Sequence, residues 1–371
     1  MKIVFIGDVM LGRFVREKYE NNAYDLVSDA VRSYIDNSNY VFANLESPVT
    51  NEEESDSLKF AGSEELLEQF RWVDCFSLSN NHINDFGEKG MRDTIDSLNR
   101  ESIGCNGLFE DVYYPNIIED GDTRIAIITC TDMLNYEFSG DCKYKTIRVD
   151  NPQLGQIIEE YKNKGFFIIV YAHVGSLFCR YPNPLIRDII YGMVEKGADC
   201  IVTAHSHCLG GIDRYKNVPI FYSLGDFLMD GSSFRRRQAG VLRLDIEKNI
   251  LKNWELQPIV TNNDLSVVFP SEKQKSKILK SFNDVTQCLS KNNDNYQHFY
   301  AKQYKKEMFS HSVSTLSFIY KTKGLKFFFK TFLVRSKEII KMAHRMVFGR
   351  RNMRYDSDAV GNHKLSKKDL R

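Results

Sequence analysis

Short apolar runs alternate with amphipathic segments along the first half of the chain. Runs rich in β-branched and aromatic residues predict buried strands, and apolar residues spaced three or four positions apart predict helices. The predicted strands are Lys2–Ile6, Tyr40–Asn44, Val73–Ser79, Arg124–Thr129, Phe166–Tyr171, Asp199–Thr203 and Pro219–Leu224. The predicted helices are Tyr24–Ile35, Glu64–Phe70, Gly90–Asn99, Gln153–Lys164 and Leu185–Lys196. This alternation is typical of an α/β fold.

The pattern changes in the following segment. Val241–Ile246 and Leu251–Val260 predict an antiparallel strand pair around the polar turn at Lys248 and Asn249. We therefore expect an α/β body over residues 1–262. Residues 263–371 are predicted to form a mainly helical, basic extension with a disordered C-terminal end.

Charge is distributed unevenly between these two parts. The 371 residues include 50 Lys+Arg and 49 Asp+Glu, for a formal net charge of +1. Residues 271–371 hold 23 Lys+Arg and 8 Asp+Glu and carry +15, so residues 1–270 carry −14. Such asymmetry is typical of an interaction segment attached to a globular body.

The basic charge includes an amphipathic segment at residues 321–351, with ten Lys+Arg and one Glu. At helical spacing its apolar residues gather on one side and its basic residues on the other. Such a segment predicts contact with a membrane surface or a protein partner. The alternative is a helix packed on the body with a solvated basic face. Nucleic acid is the least favoured partner, because the body is acidic.

Several features predict a cytoplasmic protein. The eight cysteines include no CxxC pair, and some lie in strand-like runs, as Cys130 and Cys200 do, which is typical of reduced, buried thiols. Gly7 and Asp8 interrupt the first apolar run before the core of a signal peptide could form. Uncharged apolar runs fall well short of the roughly 20 residues that a membrane-spanning helix needs.

Candidate ligands for a metal ion follow the predicted strands. The only histidines in the first 297 residues are His82, His173, His205 and His207, and Asp8, Glu46 and Asn81 occupy similar junctions. Ligand sites of open α/β sheets form outside the carboxyl ends of the strands. Imidazole, carboxylate and amide donors without thiolate suit Mn²⁺, Fe²⁺ or Zn²⁺. We expect a metal or catalytic centre built from most of this set.

Each residue also has a simpler interpretation. Any one histidine alone can be a hydrogen-bonded polar residue, although the spacing of His205 and His207 can place both rings on one side of an extended segment. Asp8 could cap a helix. Asn81 and Asp85 could be turn residues.

Six ordered motifs resemble the capsule-synthesis CapA family, also called poly-γ-glutamate synthesis proteins, which is similar to calcineurin-like metallophosphoesterases. The resemblance covers roughly residues 1–260 and excludes the basic tail. The motifs are GDVMLGR (7–13), NLESPVT (44–50), SNNHINDFG (79–87), HVG with YPNP behind it (173–184), GADCIVTAHSH (197–207) and YKNVPIFYSLGDF (215–227).

The resemblance implies a metallophosphoesterase-like α/β sandwich and a role for each matching residue. It implies that one or two divalent ions are bound by Asp8, Glu46, Asn81, His173, His205 and His207. His82 would stand near the leaving group as general acid, a role typically worth about 10² to 10⁴ in rate. Two cations would activate a water and neutralise charge on a phosphoryl group. Arg13, Asn44 and Asp226 are the predicted substrate-binding residues, although Arg13 could equally be a solvated surface residue.

The chain also departs from the family pattern. Met10 stands where the metallophosphoesterase Asp-x-His has its histidine, so one metal loses an imidazole. Val174 and Leu177 replace an aromatic and an acidic residue after His173. Asp226 replaces an asparagine and adds a carboxylate that could compensate for a lost ligand.

The resemblance implies a metal-dependent phosphoesterase of capsule or exopolymer biosynthesis, acting on a phosphorylated or polyanionic substrate. The basic segment 321–351 would then contact the inner face of the membrane or the capsule machinery. Hydrolysis of peptide or γ-glutamyl bonds is one alternative, because activated water attacks amides too. A non-catalytic assembly factor of an exopolymer machine is the other.

Overall fold

The computed structural model describes residues 1–21, 24–52, 59–231, 235–291, 295–314 and 317. The strands are β1 (Lys2–Val9), β2 (Tyr40–Leu45), β3 (Cys75–Ser77), β4 (Gly104–Asn106), β5 (Asn116–Asp120), β6 (Thr123–Thr131), β7 (Phe167–His173), β8 (Cys200–Ala204), β9 (Ile212–Tyr215), β10 (Val218–Phe221), β11 (Asp226–Leu228), β12 (Gln238–Glu247), β13 (Ile250–Thr261) and β14 (Val267–Val268). The helices are α1 (Arg13–Asn21), α2 (Asp29–Asp36), α3 (Glu64–Glu68), α4 (Gly87–Arg100), α5 (Pro152–Asn163), α6 (Pro184–Glu195) and α7 (Glu272–Lys291).

The strands form two sheets. The first has the order β14-β13-β12-β1-β2-β3-β4, and β11 pairs with β1 beside this path. The second has the order β5-β6-β7-β8-β10-β9. Strands β1 to β4 are parallel to one another, as are β6, β7, β8 and β10. Parallel pairing brings the carboxyl ends of these strands to one edge of each sheet.

The two sheets pack face to face through a shared apolar core. Phe5 and Phe42 of the first sheet lie against Tyr171 of the second, with ring centroids 6.1 and 5.3 Å from the tyrosine ring. The Tyr171 hydroxyl donates a hydrogen bond to the Ile6 carbonyl at 3.2 Å. A second cluster covers the other face of the first sheet with buried residues of α1 to α4, and α5 contacts β6 and β7. The predicted sandwich of central β layers flanked by helices is confirmed.

Helix starts follow from the local sequence. Asn151 and Asn183 each precede a proline, and their side chains accept hydrogen bonds from the backbone amides of Gln153 and Ile186. This is the favoured chemistry at a helix start, because Asn caps exposed amides and proline has no amide to leave unpaired.

The predicted strand pair is confirmed as β12 and β13, and the turn residues Lys248 and Asn249 both have positive φ angles. Several other elements were not predicted, because they are short or lack clear periodicity. These elements are α1, β4, β5, β9, β11 and β14. Helix α2 starts at Asp29, later than predicted.

The chain divides into two compact units, Met1–Lys305 and Lys306–Arg371. The first includes α7, which contacts β9 and β13, so it reaches beyond residue 262, where the sequence placed the end of the body. A domain division at that residue stays a prediction. In the second unit, residues 306–314 are helical. The amphipathic segment 321–351 and the predicted disordered end lie outside the described residues.

Two further findings concern the chain as a whole. The eight cysteines form no disulfide, and all of them lie in the described part of the chain. Within that part, no helix is both long enough and apolar enough to cross a membrane.

Candidate metal centre

Six predicted ligands converge where the carboxyl ends of the parallel strands meet. Asp8 lies near the end of β1 and Glu46 directly follows β2, while His173 ends β7 and His205 directly follows β8. His207 comes two residues later, and Asn81 lies in the loop after β3. The set is buried, with at most 6% of any of these residues exposed. Both sheets therefore contribute to one centre.

One donor group consists of Glu46, His173 and His205, whose ligand atoms all lie within 4.8 Å of one another. His173 Nε2 lies 3.0 Å from His205 Nδ1 and 3.8 Å from Glu46 Oε1. It also lies 2.8 Å from Asn81 Oδ1, so the asparagine joins this group. Two imidazoles, a carboxylate and an amide oxygen are a donor set that suits a divalent transition metal.

The second donor group consists of Asp8, His207 and Asp226. Asp226 begins β11, which pairs in parallel with β1 so that Asp8 and Asp226 are direct neighbours. His207 Nδ1 lies 2.7 Å from Asp226 Oδ1 and 3.8 Å from Asp8 Oδ2. Its Nε2 lies 3.6 Å from Glu46 Oε1. The two groups are therefore adjacent, and Glu46 lies between them.

Close backbone approach makes the second group possible. The Asp8 amide donates a hydrogen bond to the Gly225 carbonyl at 3.1 Å, and a Cβ added to Gly7 would lie 1.8 Å from that carbonyl oxygen. Glycine at position 7 is thus required for β1 to lie beside the turn before Asp226. His205 and His207 have positive φ angles of 89° and 54°. Such backbone strain is concentrated at functional sites.

Burial shapes the electrostatics of the centre. Burial raises the pKa of Asp8 to about 6, with a further contribution from Asp226, while His207 opposes the shift. Burial and the charges of Asp8 and Asp226 raise the pKa of Glu46 well above its usual value. Burial lowers the pKa of His205 to about 3. Neutral imidazoles and crowded carboxylates thus share a space that would be stabilised by added positive charge.

Buried carboxylate oxygens without hydrogen bonds show whether a cation would fit between the donor groups. Among the described residues, Glu46 Oε1, Glu46 Oε2 and Asp226 Oδ2 are buried and have no hydrogen-bond partner. Buried polar atoms are nearly always paired in folded proteins. Three unpaired carboxylate oxygens at one centre therefore fit a bound metal ion, which would coordinate them.

Asn44 lies behind these ligands. Its amide nitrogen donates to Asp8 Oδ1 at 2.9 Å and lies 3.3 Å from His173 Nδ1, and its amide oxygen accepts from Asn80 at 3.1 Å. The side chain is fully buried. These contacts orient Asp8 and His173. The substrate contact predicted for Asn44 stays a prediction.

His82 lies at the edge of the centre and is held from three sides. Its Nδ1 lies 2.8 Å from Asp85 Oδ2, and its ring stacks on Phe60 at a centroid distance of 3.8 Å. The Asn135 amide nitrogen lies 3.1 Å from Nδ1 and 3.3 Å from Nε2. An acidic partner on Nδ1 fixes the orientation of the ring, and a general acid needs such a fixed position relative to its substrate.

Arg13 and Met10 were both singled out in the sequence, Arg13 as a substrate-binding residue and Met10 as the replacement of a histidine ligand. Arg13 pairs with Asp230 at 2.9 Å and lies over the Phe60 ring at 5.0 Å, with 38% of its side chain exposed. Met10 is fully buried in the core, and its sulfur accepts a hydrogen bond from the Gly12 amide at 3.1 Å. The position of the missing histidine is therefore part of the apolar core.

Three residues contact the centre or His82 but were not predicted from the sequence to do so. Asp85 could be only a turn residue by sequence, whereas the structure places it on His82. Asn135 follows β6 at the same sheet edge, a position that could have indicated it, and it also accepts a hydrogen bond from Asn81. Arg236, whose Nη2 lies 3.9 Å from Asp226 Oδ2, had no sequence signal.

Two packed sheets with a His, Asp and Glu centre at the ends of their strands define an α/β sandwich with a candidate metal site. The model of the family described as bacterial capsule synthesis protein PGA_cap matches residues 2–231. The chain belongs to this family, which confirms the resemblance seen in its motifs.

Two relatives from Bacillus agree with this assignment. The chain is 28% identical over 288 residues to the PGA biosynthesis protein CapA of Bacillus subtilis, covering 74% of each chain. It is 28% identical over 268 residues to the capsule biosynthesis protein CapA of Bacillus anthracis, covering 67% of this chain and 64% of the relative. A solved 5′-nucleotidase from Candida albicans is similar with a TM-score of 0.40 and 10% identity, over 76% of this chain and 58% of that one.

Proposed function

We propose that the protein is a metal-dependent hydrolase of phosphoesters that acts in the biosynthesis of capsule or another exopolymer. The observation that carries this proposal is the pair of adjacent, buried donor groups with unsatisfied carboxylate oxygens. Membership of the capsule synthesis family supports the biological setting. The disulfide-free cysteines support a cytoplasmic location.

Each donor group would hold one divalent ion, of Mn, Fe or Zn. Glu46, His173, His205 and Asn81 would hold the first, and Asp8, His207 and Asp226 the second. Divalent ions supply Lewis acidity towards phosphoryl oxygens and make water a stronger nucleophile. The remaining residues of the site would act on the substrate.

His82 would deliver a proton to the departing oxygen of the substrate. Asp85 binds Nδ1, so the proton to be delivered is the one on Nε2. Phe60 stacks on the imidazole and limits its rotation. Because His82 is only 6% exposed, bulk water has little access to the proton before substrate binds.

The test combines metal analysis with turnover. Protein stripped with a chelator and reloaded should contain one or two equivalents of divalent metal and hydrolyse p-nitrophenyl phosphate. His205→Ala should lose metal and turnover, whereas His298→Ala, at an exposed position outside the centre, should retain both. Metal binding without phosphoester turnover would contradict the proposal and favour γ-glutamyl hydrolysis or an assembly role.

A further inference from the structure

A small pocket lies directly beside the donor groups. Its walls are the loop that follows β7, the start of α6 and the ends of β8 and β10. Val174 of this loop directly follows the ligand His173, and Ser206 lies between His205 and His207 in the chain. The lining of the pocket therefore begins within one residue of three predicted metal ligands.

The pocket combines a positive charge with hydroxyl groups. Arg180 brings a guanidinium to it, six of the lining residues carry hydroxyl groups, and none of the described residues that line it is acidic. The hydroxyl of Tyr222, one of these residues, is buried and has no hydrogen-bond partner among the described residues. Because buried polar atoms are nearly always paired, a ligand that accepts hydrogen bonds would complete this arrangement. The pocket has room for about one or two water-sized groups, which suits a carboxylate better than a larger phosphate.

The loop that carries Arg180 is anchored to the helices that follow the body. Arg180 Nη1 donates a hydrogen bond to Ser281 Oγ of α7 at 2.5 Å. The Tyr300 hydroxyl lies 2.8 Å from Ser176 Oγ, another lining residue, and belongs to the helical residues 296–305. The guanidinium is thus held in place before any ligand arrives, which lowers the entropic cost of binding.

A second guanidinium lies close to Arg180. Burial lowers the pKa of Arg235; Cys208 opposes this shift, and the positive charge of Arg180 adds to it. The two arginines are therefore near enough for their like charges to repel each other. An anion beside Arg180 would be attracted by both.

From these observations we infer that the pocket is a subsite for a carboxylate group of the substrate. Arg180 pairs with the carboxylate, and the Tyr222 hydroxyl donates a hydrogen bond to it. The substrate class is thus a phosphoester that carries a carboxylate a few bonds from its phosphoryl group. The inference rests on the proposed function, because the same molecule presents its phosphoryl group to the donor groups.

Matched pairs of non-hydrolysable ligands test the subsite. Each pair is a phosphonocarboxylate and its uncharged amide, from phosphonoacetate and phosphonoacetamide to longer pairs with one or two further methylene groups. In calorimetric titrations of the full chain loaded with Mn²⁺, at least one carboxylate should bind about tenfold more tightly than its amide, the usual effect of one charge-assisted hydrogen bond. Arg180→Gln should remove this preference and leave the affinity for the amide unchanged. Tyr222→Phe should weaken carboxylate binding severalfold without loss of stability, because the hydroxyl that it removes has no partner among the described residues.

Arg214→Gln and Tyr34→Phe are the matched controls, because they remove an exposed guanidinium on β9 and a hydroxyl on α2, both outside the pocket. Neither should change any affinity. Equal affinities within every pair of ligands, or a carboxylate preference that survives Arg180→Gln, would overturn the subsite. Absence of aryl phosphate turnover alongside the predicted preference would refute the phosphoesterase proposal while leaving the subsite intact.

Discussion

Glu46 provides the sharpest test of how the centre is built, because the same side chain should act in opposite directions with and without metal. Its carboxylate is fully buried, and neither oxygen has a hydrogen-bond partner in the described residues. The nearest imidazole nitrogens, of His207 and His173, lie 3.6 and 3.8 Å from Oε1. We predict that Glu46→Gln stabilises the metal-free protein and abolishes its stabilisation by metal.

The magnitude follows from the crowding of like charges. Because burial and the charges of Asp8 and Asp226 raise the pKa of Glu46, the metal-free protein must either protonate this carboxyl group or hold it ionised at a cost, and protonation costs about 1.4 kcal/mol for each pH unit above the usual pKa. The histidines and structural relaxation offset part of this, so we expect a gain of about 1–3 kcal/mol for the metal-free variant. At about 2–4 °C per kcal/mol, which holds for somewhat smaller proteins, the melting temperature should rise by several degrees.

With bound metal, the wild-type protein should become more stable than Glu46→Gln. At a free Mn²⁺ concentration of 1,000 times Kd, binding stabilises the native wild-type protein by about 4.1 kcal/mol, which exceeds the gain expected for the variant. The Glu46→Gln protein lacks a charged ligand of the first donor group, so Mn²⁺ should stabilise it only slightly. The assay is thermal unfolding of both proteins after chelation and again with Mn²⁺.

A matched variant controls for charge alone. Glu159→Gln removes an exposed carboxylate that pairs with Lys196, and both melting curves should match those of the wild-type protein within about 0.5 kcal/mol. A metal-free Glu46→Gln protein less stable than wild type would refute the reasoning, since Glu46 would then contribute favourable interactions without any cation.

Three further substitutions test other parts of the structure. Asp85→Asn should lower kcat by about 10- to 100-fold without changing metal content, because His82 loses the carboxylate that orients its ring; steady-state kinetics against pH should give a kcat profile that lies below that of the wild-type protein throughout. Gly7→Ala should destabilise the protein by about 3 kcal/mol or more in denaturant unfolding, because the new Cβ would overlap a backbone carbonyl. Asp213→Asn should cost about 3–5 kcal/mol in the same assay, because it leaves the buried guanidinium of Arg187 without its charged partner.

Each of these three substitutions has a matched control variant. Asp93→Asn removes a carboxylate near the protein surface and should leave the pH profile unchanged. Gly140→Ala, where no atom lies within 4 Å of the added Cβ, should be nearly neutral. Glu110→Gln breaks an exposed ion pair with Lys143 and should cost less than about 1 kcal/mol. A kcat profile for Asp85→Asn that matches that of the wild-type protein, or full stability of either of the other two variants, would contradict the corresponding argument.

The sequence predicted the convergence of ligands because parallel strands place their carboxyl ends together. His173 ends one strongly apolar strand and His205 follows the adjacent one, and such strands are easily recognised. The position of Asn135 after β6 gives only a weak signal, and Arg236 lies in a turn before β12, a place that has no periodic signal. Their contacts with His82 and Asp226 arise only in the tertiary structure.

The two departures from the family pattern, Met10 and Asp226, are structurally linked. Met10 directs its side chain into the core, so β1 supplies only Asp8 to the second donor group. The pairing of β11 with β1 then places Asp226 directly beside Asp8. A carboxylate thus stands in the group where the pattern would have an imidazole, which makes that group richer in oxygen and more negative. We therefore expect this group to prefer Mn²⁺ to Zn²⁺, because oxygen-rich sites suit Mn²⁺ better.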